Sequence, residues 1–191
     1  PIWATPMKLG KEGKNMKQSN LIENLTGFIA LAACLVTMVT AASAAPMKVE
    51  ALLNPGEQIR LDFADESKRF VMMVKRGGKA SGSGPLAGTA VTEYGQHDIV
   101  RGVNGTAGGY LVFAKTDGDI AYIKWELSAV FVPGPDGKPK LINNGLWEVV
   151  GGTGEFKKLQ GAGRLQIKFP SATQRNYVLE GELVAGSRAK Q

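Results

Sequence analysis

Ile120-Ala121-Tyr122-Ile123-Lys124-Trp125-Glu126-Leu127-Ser128-Ala129-Val130-Phe131 is the stretch on which the fold turns. Ala121, Ile123, Trp125, Leu127, Ala129 and Phe131 fall on one side of an extended chain, and Tyr122, Lys124, Glu126 and Ser128 on the other. Side chains of a strand alternate between faces, so this split predicts one long strand with an apolar and a polar side. Trp and branched residues take the interior of small barrels, which puts Trp125 inside and Glu126 toward water. The opposite assignment would line the barrel with an acid, an amine and two hydroxyls.

Working outward, the same period recurs. Ile59, Leu61 and Phe63 alternate with Gln58, Arg60 and Asp62, and Leu165, Ile167 and Phe169 with Arg164, Gln166 and Lys168, each predicting a half-buried strand. Further strands are predicted over 47–53, 70–75, 91–100, 110–115, 145–150 and 177–184, about nine in all. Asn54-Pro55-Gly56, Thr116-Asp117-Gly118-Asp119, Pro133-Gly134-Pro135-Asp136-Gly137 and Gly151-Gly152 read as turns between them. No helical period longer than two turns follows Pro46. Many strands on short turns predict an all-β protein, a single antiparallel β-barrel of about eight strands in which closure removes exposed edges. Ala80 to Gly88, ASGSGPLAG, reads as a mobile loop or a flap over the barrel's opening.

Upstream, residues 25–40 are apolar and run into Ala41-Ala42-Ser43-Ala44-Ala45-Pro46, a small-residue pattern of the kind signal peptidase cuts. The predicted organisation is a non-native translated leader over 1–15, a signal peptide over 16–44 starting at Met16, and a barrel domain over 45–191. Lys11-Glu12-Gly13, just upstream of Met16, is compatible with a purine-rich ribosome-binding sequence and so with a bacterial host. The apolar run is short for a membrane span, which needs about 20 residues. The protein is therefore expected in the periplasm or outside the cell, without a membrane span. Leu31-Ala32-Ala33-Cys34 also spells a lipobox, and lipidation of Cys34 is the alternative; the apolar residues that follow Cys34, where a lipoprotein has polar linker, favour cleavage after Ala44.

The predicted mature chain has about 147 residues, room for one domain with a real core. Its 19 Lys and Arg against 15 Asp and Glu are spread along the chain, without the basic stripe that nucleic acid requires. It has no cysteine, hence no disulfide or thiolate metal site.

Trp147-Glu148-Val149-Val150-Gly151-Gly152-Thr153-Gly154-Glu155-Phe156-Lys157-Lys158-Leu159-Gln160-Gly161-Ala162-Gly163 places a strand, a glycine-rich bend, a short basic stretch and a second strand in series. Together with Thr116-Asp117-Gly118-Asp119 before its long aromatic strand, it resembles the signature of the allene oxide cyclase and dirigent-like barrel superfamily, over roughly residues 109–169. The resemblance implies an antiparallel barrel of about eight strands, often oligomeric, whose cavity in some members holds a lipid-derived or phenolic molecule. No catalytic residue carries over.

Catalytic signals are weak. His97 is the only histidine, so a three-histidine metal site is excluded, and Asp98 points to the opposite face of its strand. A rim or surface position is expected for it, with a general base or pocket hydrogen-bonder as the functional alternative. Gly82-Ser83-Gly84 and Gly151-Gly152-Thr153-Gly154 lack a P-loop ending, and no serine sits in a Gly-x-Ser-x-Gly elbow. The expected role is binding of a small hydrophobic or amphipathic ligand in the barrel, with Trp125, Trp147, Tyr110 and His97 as its contacts and no metal or cofactor; Tyr177 is a further aromatic that lines the cavity or packs it. The alternatives are an isomerase or cyclase using Glu126 or His97, and a filled barrel acting as a structural protein, which could assemble as a homo-oligomer.

Overall fold

The computed structural model describes residues 44–185; the predicted leader, the predicted signal peptide up to residue 43, and Cys34 lie outside these. Nine strands form: β1 (Ala45–Leu53), β2 (Glu57–Asp62), β3 (Arg69–Gly82), β4 (Ala90–Val100), β5 (Asn104–Ala114), β6 (Ile120–Pro133), β7 (Pro139–Gly152), β8 (Leu159–Lys168) and β9 (Arg175–Ala185). A single 3₁₀ turn, Gly154–Lys158, joins β7 to β8. Consecutive strands from β2 to β9 pair as antiparallel neighbours, β9 pairs with β1, and β1 closes on β3 through Val49↔Gly82 to Leu53↔Gly78. Eight strands thus form a closed barrel. β2 is the ninth, paired with the first half of β3 after the chain turns at Asn54-Pro55-Gly56.

Inside are the side chains that the alternation placed there, Ala121, Ile123, Trp125 and Leu127 of β6 and Leu165 and Ile167 of β8, together with Val49, Ala51 and Leu53 of β1. Glu126 faces water, where Lys124 reaches it at 3.2 Å. β2 departs from expectation. Its residues are all exposed, Ile59 at 75% and Leu61 at 62%, because β2 lies beside the closed barrel and, among the described residues, nothing covers its apolar side. Gly151 and Gly152 are the end of β7, opposite a register shift at Tyr122/Ile123, and the turn begins only at Thr153.

One register row crosses six strands: Gly95, Gly109, Trp125, Trp147, Gly163 and Gly181 are successive cross-strand partners. The two indoles are the largest side chains in the interior, and glycines flank them on both sides. A Cβ at Gly181 would stand 2.8 Å from Trp147 Cζ2, and one at Gly95 would stand 3.3 Å from Trp125 Cζ2. The small barrel holds two tryptophans at one level because the neighbouring strands carry no side chain there.

One end of the barrel is plugged. Ala80 to Gly88, read as a flap, is a fastened turn at this end: Gly88 N–H donates to Ala80 O at 3.0 Å, Ala80 N–H to Thr89 O at 3.0 Å, and Thr89 Oγ1 to Leu86 O at 2.7 Å. Leu86 is fully buried. Phe156, from the 3₁₀ turn, is buried at the same end. Its turn is locked to the β5–β6 connection, since Glu155 N–H donates to Asp119 Oδ2 at 2.8 Å and Ile120 N–H to Thr153 Oγ1 at 2.9 Å. Gly154 has φ +48°, and a Cβ there would overlap the Asp119 carboxylate. Gly154→Ala is therefore expected to cost about 2 kcal/mol through left-handed strain and overpacking. Urea denaturation checks this, and a change within about 0.5 kcal/mol would show that the two turns are not locked together.

Candidate functional site

On β4 the inward positions read Val91, Glu93, Gly95, His97 and Ile99, so an acid and the lone histidine, four residues apart, share the interior face. Glu93 is completely buried. Arg76 is its partner across the β3–β4 ladder, and Arg76 Nη1 donates to Glu93 Oε2 at 3.0 Å and to Oε1 at 3.3 Å. Tyr177, from β9, donates its hydroxyl to Oε1 at 2.6 Å, and His97 Nε2 lies 3.2 Å from the same oxygen. Since a carboxylate only accepts, Nε2 carries the proton of that contact. Gly95 makes room for the cluster: a Cβ there would stand 2.5 Å from Glu93 Oε1.

Burial is the strongest single influence on Glu93 and pushes its carboxyl up. The hydrogen bond from His97, the Arg76 charge and the Tyr177 hydroxyl together outweigh it, and the pKa lies below the usual glutamate value. Glu93 is thus an ion at neutral pH. Burial, reinforced by the neighbouring Glu93, raises the Tyr177 phenol well above its ordinary value, so it remains a donor.

Toward the unplugged end, above this cluster, lies a cavity of about 200 Å³. Phe70 and Met72 of β3, Ile99 of β4, Leu127 and Phe131 of β6, Leu141 of β7 and Ile167 of β8 make its apolar wall, and Phe169 follows β8 at the mouth. Its polar lining comes from Arg76, His97, Thr106, Asn143, Arg175 and Tyr177. Asn143 is committed to the wall, with Nδ2 donating to Ile167 O at 2.8 Å and Oδ1 accepting from Ile167 N at 2.8 Å.

The four predicted contacts separate. His97 lines the cavity, inward where a rim or surface position was expected, because its parity on β4 matches Glu93. Trp125 lies beside the cluster, its ring 5.3 Å from Tyr177 in an edge-on contact and 6.1 Å from His97. Its Nε1 is buried without a hydrogen-bond partner among the described residues. Trp147 is buried away from the cavity, with Nε1 donating to Glu180 O at 3.2 Å. Tyr110 lies outside, 46% exposed and opposite Tyr94, because the intervening register points it away from the interior. Asp98, as its parity requires, pairs outside with Arg69. Tyr177, an aromatic that the sequence offers for lining or packing the cavity, does line it, whereas Glu93, Arg76 and Arg175 were not anticipated. Only Glu93 carried a sequence signal, an acid at an inward position of an apolar alternation.

Asp117, Asp119 and Glu155 converge at the plugged end, but they serve the turns there: Asp117 accepts Asp119 N–H at 3.2 Å, Asp119 accepts Glu155 N–H, and Lys115 pairs with Glu155.

Fold and site define a small closed antiparallel barrel, plugged at one end, with a mainly apolar cavity over a buried charge cluster at the other. The chain matches no protein-family profile and no curated protein sequence.

Proposed function

We propose that this protein is an exported barrel of the allene oxide cyclase and dirigent-like kind that binds one small amphipathic molecule inside. The observation that carries the reading is the cavity itself, apolar on its walls and polar toward Glu93. Binding sites combine these two features, and a dry cavity of about 150 Å³ is enough to take benzene. Phe131 and Phe169, which would fill the interior in a purely structural barrel, stand at the cavity's edge. Export rests on the apolar run over 25–40 and the small-residue pattern Ala41-Ala42-Ser43-Ala44-Ala45-Pro46.

Native mass spectrometry of the exported protein, incubated with a small-molecule extract of its host, tests the proposal. One bound molecule per barrel is expected, and Ala129→Phe, which places a ring in the cavity, should remove it while the circular dichroism spectrum is unchanged. A wild-type spectrum free of bound mass would overturn the reading.

The contact between Glu93 and His97 favours a second reading, a proton-transferring isomerase. A carboxylate that holds one imidazole nitrogen orients the ring as a base toward the cavity. Chromatography of the released ligand distinguishes an isomerised molecule from an unchanged one.

A further inference from the structure

The cavity holds two guanidinium groups, and its neighbouring carboxylate neutralises one. Glu93 is spent on Arg76, His97 and Tyr177. Arg175, the first residue of β9, is half-buried at the cavity and forms no salt bridge among the described residues. Its Nη1 donates to the carbonyls of Gln174 at 2.7 Å and Ala172 at 3.2 Å, and its guanidinium lies 4.8 Å from the centre of the Phe169 ring. A guanidinium has five N–H donors in a rigid fork, so most of its donors remain for a ligand. The groups facing it are Arg76, Tyr177 and Glu93; burial first, then repulsion from Arg76, lowers its pKa. Added negative charge would relieve that repulsion.

We propose that the cavity's ligand is a compact monocarboxylate, its carboxylate held by Arg175 and its apolar body, about one aromatic ring in size, set among Phe131, Leu141, Ile167 and Phe169. This rests on the reading of the cavity as a binding site. A carboxylate presents two oxygens in the plane of the guanidinium fork, and the apolar walls disfavour a heavily hydrated polyanion. The volume sets the size: about 200 Å³ takes a ring or a short acyl chain and leaves a long fatty chain outside.

Calorimetric titration of the full chain at neutral pH with benzoate, phenylacetate and the straight-chain acids from butanoate to decanoate, each beside its primary amide, tests this. At least one compact acid should bind about tenfold or more tightly than its amide, the effect of a charge-assisted contact. Arg175→Gln should erase that preference, lowering the acid's affinity far more than the amide's, and Arg175→Lys should retain part of it. Equal binding of acid and amide, or a preference that survives Arg175→Gln, overturns the carboxylate assignment and leaves the cavity reading standing. If no acid or amide binds, or if Ala129→Phe binds them all like the wild type, the cavity reading fails and the assignment with it.

Discussion

Glu93→Ala is expected to destabilise the protein by about 3–5 kcal/mol, the cost of stranding one member of a buried ion pair. The substitution leaves the Arg76 guanidinium, 7% exposed, without its carboxylate, and removes the acceptor of the Tyr177 hydroxyl and of His97. Glu93→Gln keeps an acceptor for Tyr177 and should lose less. In Arg76→Met/Glu93→Gln the loss should fall well below the sum of the single losses, because neither member of the pair is left as a stranded charge. The same ion pair gives stability a pH dependence. The folded-state pKa of Glu93 is depressed, so its contribution is present in full above the unfolded glutamate value and is lost as pH falls through the lower, folded one. Urea midpoints of the wild type should fall more steeply below about pH 4.5 than those of Glu93→Gln. Parallel acid profiles for the two proteins would mean that the carboxylate is not held as an ion.

Trp125→Ala should cost a similar amount, about 3–5 kcal/mol. The indole is 1% exposed and packs against Tyr177 and His97, while the glycines beside it, Gly95 and Gly109, offer no side chain to collapse into the vacancy. Trp125→Phe should cost far less, since the indole N–H has no partner to lose. Trp147→Phe, which sacrifices the bond to Glu180 O, should cost more than Trp125→Phe despite the similar burial. Chemical denaturation of the three variants gives the ranking, and a loss under about 1 kcal/mol for Trp125→Ala would mean that the barrel closes over the gap.

Alternation along each strand made the barrel legible in the sequence. The face assignment of β6 rested on Trp125 and the branched residues beside it, and the structure agrees down to Lys124 and Glu126 in water. β2 shows the limit of such reasoning. Ile59 and Leu61 alternate like a half-covered strand, but alternation reports a pleat and not what lies over it. Whether a strand closes the barrel or rides alongside depends on where β1 meets β3, a contact between residues 49–53 and 78–82 that no local pattern encodes. The cavity was hidden for the same reason. Glu93 and His97 share a face by simple counting, yet Arg76, Tyr177 and Arg175 join them only after the strands have closed, from positions up to about a hundred residues away. Tyr110 illustrates the converse: an aromatic residue was expected inside, and the register of β5 turned it outward.

With Leu86 and Phe156 seated in one end, the barrel is a cul-de-sac. On the proposed binding role, a molecule that passes Phe70 and Phe169 would have to leave by the way it came, and molecules would compete for one berth. A product would have to depart before the next substrate arrived, and nothing could be conducted from one end to the other. Trp125 and Trp147 side by side across the bore make it a vessel rather than a conduit.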